Sequence, residues 1–271
     1  MPQHTLSIII PCYNEVAVID RTLDAVEALG RRLWTEGIAI QVVVVDDASE
    51  DGTWDRLATR ATAGAIVTAR HVRNRGKGAA IQTGREHVDG DIVVIQDADL
   101  EYDPSDIPAL IAPILGGRAD AVVGSRFIGS RVHRVLYFWH RIGNGVLTLL
   151  SNACTNLNLT DMEAGYKAFS RAAFASMHLT NDRFGIEPEI VARLAQMGAR
   201  VYEVPISYHG RTYAEGKKIT WRDGIVAVLH IVRAWSSARR QPQLAPARIA
   251  PRAHSETVLD PGARGPVSQP P

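Results

Sequence analysis

The stretch Ile92-Val93-Val94-Ile95-Gln96-Asp97-Ala98-Asp99-Leu100-Glu101 decides how the chain is interpreted. Its four leading apolar residues predict a short buried strand, and acidic residues follow directly. Open α/β sheets bind ligands at the carboxyl ends of their strands, so we expect Asp97 and Asp99 at such a site. There both carboxylates can reach one hard divalent cation. Taken alone, acids in this position are more often ordinary turn residues, so the rest of the chain must decide.

Four more apolar runs, at residues 6–10, 40–45, 65–68 and 121–123, are each followed by polar or glycine-containing turns. Residues at helical spacing lie between the early runs, for example Val16, Ile19, Leu23, Val26 and Leu29. Strands that alternate with helices predict a single α/β domain with a mostly parallel central sheet flanked by helices. The loops 11–15, 46–53 and 96–103 would then share one edge of the sheet and form one cleft.

The composition excludes several classes of protein. The 271 residues are 46% hydrophobic, and 30 Lys and Arg nearly balance 29 Asp and Glu, so no overall basic field favours nucleic acid. Cys12 and Cys154 lie far apart and predict reduced thiols. We see neither an export signal nor the roughly 20 consecutive apolar residues of a membrane span. These features predict a cytoplasmic protein.

Two later stretches, near 131–153 and 221–238, are predicted to be amphipathic helices with apolar and cationic sides. In the first, Arg131, Arg134 and Arg141 are expected on one helical face. Such helices are typical of peripheral membrane contact, at the cytoplasmic face for this protein, and equally of ordinary packing on a core. We expect the folded domain to span 1–238 and the Pro-, Ala- and Arg-rich segment 239–271 to be a disordered tail.

Three further motifs fall in the inferred cleft: Pro11-Cys12-Tyr13-Asn14-Glu15, Val45-Asp46-Asp47-Ala48-Ser49 and Asn74-Arg75-Gly76-Lys77-Gly78. Together with the acids after Ile95, they resemble in order and spacing the inverting family 2 glycosyltransferases of the GT-A fold, a Rossmann-like fold that binds nucleotide-diphospho-sugars. The resemblance covers residues 6 to about 235.

Later motifs resemble one branch of that family, the dolichol-phosphate mannose and glucose synthases and their bacterial relatives. These motifs are Gly124-Ser125-Arg126, Asp161-Met162-Glu163-Ala164-Gly165-Tyr166-Lys167, Val204-Pro205-Ile206-Ser207-Tyr208 and Glu215-Gly216-Lys217-Lys218-Ile219. We expect no carboxyl-terminal transmembrane helices, which many bacterial lipid-linked relatives carry. The chain also has the 215–218 sequence where typical mannose synthases have a Ser-Lys pair, which puts mannose specificity in doubt.

The resemblance implies a donor site that holds the nucleoside and its diphosphate. Its expected residues are Pro11, Tyr13, Glu15, Val44, Asp46, Lys77, Asp97, Ala98, Arg211, Lys217 and Lys218. Asp46 would accept a hydrogen bond from the base, and an acceptor-only carboxylate suits the N–H edge of uracil or guanine. Arg211 with Lys217 or Lys218 would add positive charge from a loop that can close over the diphosphate.

The resemblance also implies a metal site. Asp97, Asp99 and Glu101 would coordinate Mg²⁺ or Mn²⁺, which would stabilise the leaving nucleoside diphosphate. Asp97 and Asp99 are therefore expected to be catalytic, together with two residues on the acceptor side, Asp161 and Arg126.

On the acceptor side, Arg126, Arg131 and Arg141 are expected to bind the phosphate of a lipid, since guanidinium pairs with phosphate in a bidentate way. Asp161 would act as a base or position the acceptor, and capping a helix is an equally good interpretation of it.

The main functional expectation is transfer of a hexose from UDP-glucose or GDP-mannose to polyprenyl (dolichyl) phosphate with inversion. The alternative keeps the donor and transfers the sugar to a saccharide or another soluble acceptor, for which a carboxylate would have to act as general base. A third interpretation is a non-catalytic protein that binds a nucleotide sugar.

Overall fold

The computed structural model describes residues 1–129, 134–135, 137–183, 185–210 and 221–240. The strands are β1 His4–Cys12, β2 Ile38–Asp46, β3 Val67–Arg70, β4 Ile92–Ile95, β5 Ala121–Ser125, β6 Lys167–Ser170 and β7 Val201–Pro205. The helices are α1 Ile19–Thr35, α2 Thr53–Thr62, α3 Lys77–Arg85, α4 Ile107–Leu115, α5 Phe138–Thr155, α6 Arg171–Ser176, α7 Ile186–Gln196 and α8 Trp221–Arg240.

These strands form one seven-stranded sheet in the order β3-β2-β1-β4-β6-β5-β7. Strand β1 runs parallel to β2 and β4, and β2 runs parallel to β3. Strands β5 and β7 are also parallel to each other. Strand β6 is antiparallel to both β4 and β5. The expectation of a mostly parallel sheet is confirmed, and β6 and β7 are additions that the apolar runs did not predict.

The sheet is covered on both faces, as expected. On one face Leu23 of α1 and Leu110 of α4 pack in a cluster with Ile8 of β1. On the other face Phe174 of α6 packs in a second cluster with Ile9. Consecutive residues of β1 thus enter opposite layers, which is the period of two that a strand imposes.

Helix α5 begins at Phe138, later than expected, and residues 134, 135 and 137 before it are described and are not helical. The backbone N–H of Arg134 donates instead to the carbonyl oxygen of Tyr208 at 2.9 Å, beyond the end of β7. Arg134 therefore does not share a helical face with Arg141, and Arg131 lies outside the described residues.

The second amphipathic stretch forms α8, Trp221–Arg240. Residues 241–271, the greater part of the expected tail, lie outside the described residues. Among the residues that the structure describes, no helix combines the length and hydrophobicity needed to cross a membrane.

One buried hydrogen bond ties α1 to the loop after β4. Thr22 is fully buried, and its hydroxyl donates to the carbonyl oxygen of Ala98 at 2.8 Å. Thr22→Val keeps the shape but leaves that carbonyl without this donor. We expect the free energy of unfolding to fall by about 1 to 3 kcal/mol in urea denaturation. Thr59→Val is the control, because the Thr59 hydroxyl bonds only within α2 in an exposed position. Equal stability of the two variants would contradict this assignment.

Candidate active site

The loops after β1 and β2 are bound to each other at the carboxyl edge of the sheet. The backbone N–H of Asn14 donates to Ser49 Oγ at 2.9 Å, and that of Glu50 donates to Asn14 Oδ1 at 2.9 Å. The N–H of Glu15 donates to Thr53 Oγ1 at 3.0 Å. The two expected donor-site loops therefore form one rigid wall of the cleft.

Asp46 ends β2 and is fully buried. Its Oδ2 lies 3.1 Å from Nε of Arg70, and the Ser49 N–H lies 3.3 Å from both carboxylate oxygens. The Arg70 guanidinium also donates to the Ser49 carbonyl oxygen at 3.1 Å and lies 5.0 Å from the Trp54 ring. A carboxylate acceptor and a guanidinium donor are thus fixed side by side.

Sequence reasoning missed Arg70. The feature that identifies Arg70 is the register of the sheet, in which Arg70 of β3 is the partner of Asp46 of β2. That register becomes visible only when the strands are aligned.

Asp47 organises the loop between β3 and α3. One of its carboxylate oxygens accepts the backbone N–H of Arg75 at 2.8 Å, and the other accepts that of Gly76 at 2.6 Å. His71 Nδ1 lies 2.6 Å from the same carboxylate. Gly76 has a φ of 104°, which L side chains rarely adopt. These contacts set the start of α3 at Lys77.

The Lys77 ammonium lies between two carboxylates, 2.7 Å from Asp97 Oδ1 and 2.9 Å from Glu187 Oε1. Burial alone would lower the pKa of Lys77, but the charges of Asp97 and Glu187 outweigh it and hold that pKa well above its usual value. The ammonium therefore stays charged beside Asp97, in the loop after β4. Sequence reasoning missed Glu187, which lies in the acidic first turn of α7.

The three acids after β4 point to different partners. Asp99 Oδ1 accepts the N–H of Glu101 at 3.1 Å, and Glu101 Oε2 accepts the hydroxyl of Tyr208 at 2.8 Å. Within the described ranges, no three His, Cys, Asp or Glu side chains form a ready-made metal-binding group. A Cβ on Gly165 would lie 2.5 Å from Asp97 Oδ2, so the glycine allows this carboxylate to approach the backbone closely. Carboxylate oxygens are the kind of ligand that a hard divalent cation prefers.

Arg126 and Asp161 form a buried bidentate pair. Arg126 Nε lies 2.6 Å from Asp161 Oδ2, and Nη2 lies 2.7 Å from Oδ1. The backbone N–H of Arg126 donates to the same Oδ2 at 3.1 Å. Asp161 is fully buried in the connection between α5 and β6, so the helix-capping interpretation is wrong. Both carboxylate oxygens are engaged by Arg126.

A second arginine adjoins this pair through Phe127. The Arg141 guanidinium lies 3.6 Å from the centre of the Phe127 ring, and that of Arg126 lies 5.3 Å from it. Two of the three expected acceptor-site arginines therefore meet at one ring. The third, Arg131, lies outside the described residues, as do Arg211, Lys217 and Lys218 of the expected donor site.

Two further ionisable groups in the 161–167 motif were not singled out from the sequence. Burial and the charge of Glu187 raise the pKa of Glu163 to about 7, and its Oε1 is buried without a hydrogen-bond partner among the described residues. Burial lowers the pKa of Lys167 to about 8, and its ammonium donates to the carbonyl oxygens of Met162 and Ala164. Lys167 thereby holds the turn that carries Glu163.

The remaining expected donor-site residues differ in exposure. Tyr13 is 43% exposed at the cleft, whereas Ala98 is buried under α1. Pro11 is buried within β1. Val44 is fully buried in the core cluster, so its side chain supports β2 rather than lining the cleft.

Comparison with known proteins relates the chain to one family and to several named relatives. The family description "Glycosyl transferase family 2" matches residues 7–177. An undecaprenyl-phosphate mannosyltransferase of Micrococcus luteus is 33% identical over 86% of this chain and 94% of that protein. A dolichol-phosphate mannosyltransferase of Pyrococcus furiosus is 28% identical over 78% of this chain and 58% of that protein.

Among solved structures, a glucosyl-3-phosphoglycerate synthase of Mycobacterium tuberculosis, in complex with Mn²⁺, UDP and glucosyl-3-phosphoglycerate, aligns with a TM-score of 0.64. The alignment covers 89% of this chain and 82% of that one at 20% identity. This likeness confirms the GT-A fold, and the chain resembles the branch that transfers sugars to polyprenyl phosphates. Because the family match covers more than half of its length, this protein belongs to glycosyl transferase family 2.

Proposed function

We propose that this glycosyltransferase moves a hexose from a nucleotide sugar to polyprenyl phosphate, with inversion at the anomeric carbon and release of a nucleoside diphosphate. The observation that carries the proposal is the engagement of Asp161 by Arg126. Both Asp161 oxygens accept hydrogen bonds from the Arg126 guanidinium, so this carboxylate is poorly placed to take a proton from a sugar hydroxyl. A sugar hydroxyl would need a base, whereas a phosphate monoester is already largely deprotonated at neutral pH.

The acceptor phosphate would bind at the arginines around Phe127. Arg141 contributes positive charge at the ring, and Arg126 adds the guanidinium that Asp161 orients. A bidentate guanidinium contact suits a phosphate and would aim one of its oxygens at the sugar. Asp161 then acts by positioning Arg126 and needs no proton transfer of its own.

The nucleoside would bind at the wall formed by the loops after β1 and β2, with Tyr13 and Glu15 beside it. Asp46 would accept an N–H of the base, while Arg70 would donate to a neighbouring carbonyl oxygen. Uracil and guanine both carry an N–H next to a carbonyl. Adenine and cytosine present a ring nitrogen lone pair at that edge, which the carboxylate would repel.

Asp97, Asp99 and Glu101 would hold Mg²⁺ or Mn²⁺, which would neutralise charge that develops on the leaving diphosphate. Lys77 lies beside Asp97 and would add a cation near the same phosphates. Because Glu187 holds the other side of the Lys77 ammonium, this cation is in place before the donor arrives.

A soluble acceptor is the second candidate. It is supported by the structural neighbour crystallised with glucosyl-3-phosphoglycerate and by Glu163, since a carboxyl group with a pKa of about 7 is suited to general-base catalysis. The non-catalytic interpretation is disfavoured, because Asp97, Asp99, Glu101 and Lys77 are all present and Lys77 is paired with Asp97.

The deciding experiment measures nucleoside diphosphate release by the purified protein with Mn²⁺. UDP-glucose and GDP-mannose are tested separately, each with and without a short polyprenyl phosphate. We expect release that depends on the lipid phosphate with one of the two donors. Tight donor binding without lipid-stimulated release would instead support the soluble acceptor.

Removal of a metal ligand should abolish turnover. For Asp99→Ala we expect kcat/KM to fall at least about a hundredfold while the thermal melting curve is retained, because the cation supplies several kcal/mol of charge stabilisation. Asp103→Ala is the matched control, since this carboxylate of the same loop accepts the backbone N–H of Ser105 and is not among the expected metal ligands. An unchanged rate for Asp99→Ala would refute the metal assignment.

The base site is testable by calorimetry with free nucleotides. We expect UDP or GDP to bind at least about tenfold more tightly than ADP and CDP, because Asp46 and Arg70 match only an N–H beside a carbonyl. Asp46→Asn should remove this preference. Asp24→Asn, which changes an exposed carboxylate on α1, should keep it. Equal affinity of the wild type for all four nucleotides would contradict the assignment.

A further inference from the structure

Glu163 lies in the chain between the two halves of the candidate active site. On one side it is two residues from Asp161, the partner of Arg126. On the other side it is two residues from Gly165, which lies against the carboxylate of Asp97. Two residues of chain span at most about 7 Å. The backbone of Glu163 is therefore within that distance of a residue in each half.

A buried lysine fixes the turn that carries Glu163. The Lys167 ammonium donates to the carbonyl oxygens of Met162 and Ala164, which are the residues on either side of Glu163. Both of these neighbours are fully buried, whereas Glu163 is partly accessible. Of the three residues in this turn, Glu163 is thus the one that a ligand can reach.

One oxygen of the Glu163 carboxyl group lacks a hydrogen-bond partner. Oε1 is buried, and no residue in the described part of the chain bonds to it. Buried polar side-chain atoms are hydrogen-bonded in the large majority of cases, because an unpaired one keeps the full cost of its lost hydration. An unpaired oxygen between the two halves of a binding site therefore indicates that a ligand supplies the missing donor.

The charges near Glu163 favour a neutral group as that ligand. Among the described residues, Glu187 and Asp161 act on it as negative charges, and Lys167 and Arg126 act on it as positive charges. The two signs balance, so neither a cation nor an anion is required. Because burial and the charge of Glu187 raise the pKa of Glu163 to about 7, both of its protonation states exist at neutral pH. A hydroxyl donates and accepts hydrogen bonds, so it can pair with either state.

We propose that Glu163 binds a hydroxyl group of the hexose carried by the nucleotide sugar and so determines which sugar is accepted. This inference rests on the proposed function, in which the hexose lies between the donor diphosphate near Asp97 and the acceptor phosphate at Arg126. Glu163 stands between these two residues in the chain. A hexose hydroxyl beside Oε1 would supply the donor that the protein itself does not provide.

The unpaired oxygen would make this contact selective. A site built to bind a hydroxyl rejects the analogue that lacks it, because the buried polar group of the site is then left unpaired. A sugar with this hydroxyl removed, or placed on the other side of the ring, would leave Oε1 unpaired. Glu163 would therefore discriminate between hexoses that differ at a single carbon.

Calorimetry without any acceptor tests the contact. The probes are UDP-glucose and GDP-mannose, each compared with its nucleoside diphosphate. We expect Glu163→Ala to weaken binding of the nucleotide sugar at least about fivefold and binding of the matching diphosphate less than about twofold. Glu163→Gln should lose less affinity for the sugar, because its amide oxygen also accepts a hydroxyl.

Glu36→Ala is the matched control, since Glu36 is an exposed glutamate at the end of α1. It should bind the nucleotide sugar and the diphosphate like the wild type. Equal losses for sugar and diphosphate in Glu163→Ala, with the melting curve retained, would overturn the inference.

Donors that lack single hydroxyls extend the test to the wild-type protein. We expect removal of one hydroxyl, at C2, C3, C4 or C6, to weaken wild-type binding at least about tenfold. In Glu163→Ala this one penalty should disappear, and the penalties at the other carbons should stay, because only the deleted contact is shared. Identical penalties in the two proteins would show that Glu163 touches no hydroxyl. If Glu163→Ala does not fold, the same comparison is made with Glu163→Leu, and a wild type indifferent to every single removal would overturn the inference.

Transfer assays separate this inference from the proposed function. A general base would give a kcat that falls as far in Glu163→Gln as in Glu163→Ala with unchanged sugar affinity, and this result would overturn the inference in favour of the soluble acceptor. Lipid-stimulated release by the wild type, with sugar affinity unaffected in Glu163→Ala, would overturn the inference alone. Loss of sugar affinity in Glu163→Ala, without lipid-stimulated release by the wild type, would overturn the proposed acceptor and support the hydroxyl contact.

Discussion

The antiparallel pairing of β6 between β4 and β5 is the constraint on which the site depends. The strands parallel to β1 end at the cleft, so the residues that follow them lie there. Strand β6 runs in the opposite direction, so the residues that precede it lie at the cleft. The backbone N–H of Gly165 donates to the hydroxyl of Tyr102, and Arg126 after β5 meets Asp161 before β6. One reversed strand therefore joins the half of the sheet that carries Asp97 and Lys77 to the half that carries Arg126.

Charge neutralisation is the second constraint, because ions removed from water must be paired. Lys77 is paired with both Asp97 and Glu187 and offsets one of their two negative charges, and Arg126 neutralises Asp161. Removal of one partner from such a pair leaves an uncompensated charge and costs more than the pair contributes. The network thus fixes side-chain positions at the cleft before any ligand binds, at little net gain in stability.

Sequence reasoning identified the parts of the fold that local patterns encode. The apolar runs located β1 to β5, and the acids after Ile95 and the Asp46 motif were correctly placed at one edge. Strand β6 was missed because Lys167–Ser170 is short and continues directly into α6. Arg70, Glu187 and Glu163 were missed because their roles depend on neighbours that are distant in sequence. The start of α5 was misplaced because a hydrogen bond to Tyr208 competes with helix formation at Arg134.

Gly165 shows how closely the two halves of the site are coupled. A methyl group at this position would lie 2.5 Å from Asp97 Oδ2 and 2.7 Å from Lys77 Nζ. Even alanine would therefore displace the carboxylate or its counter-ion, although it adds no charge and removes none. A substitution at position 165 can therefore change the positions of Asp97 and Lys77 without changing any charge at the site.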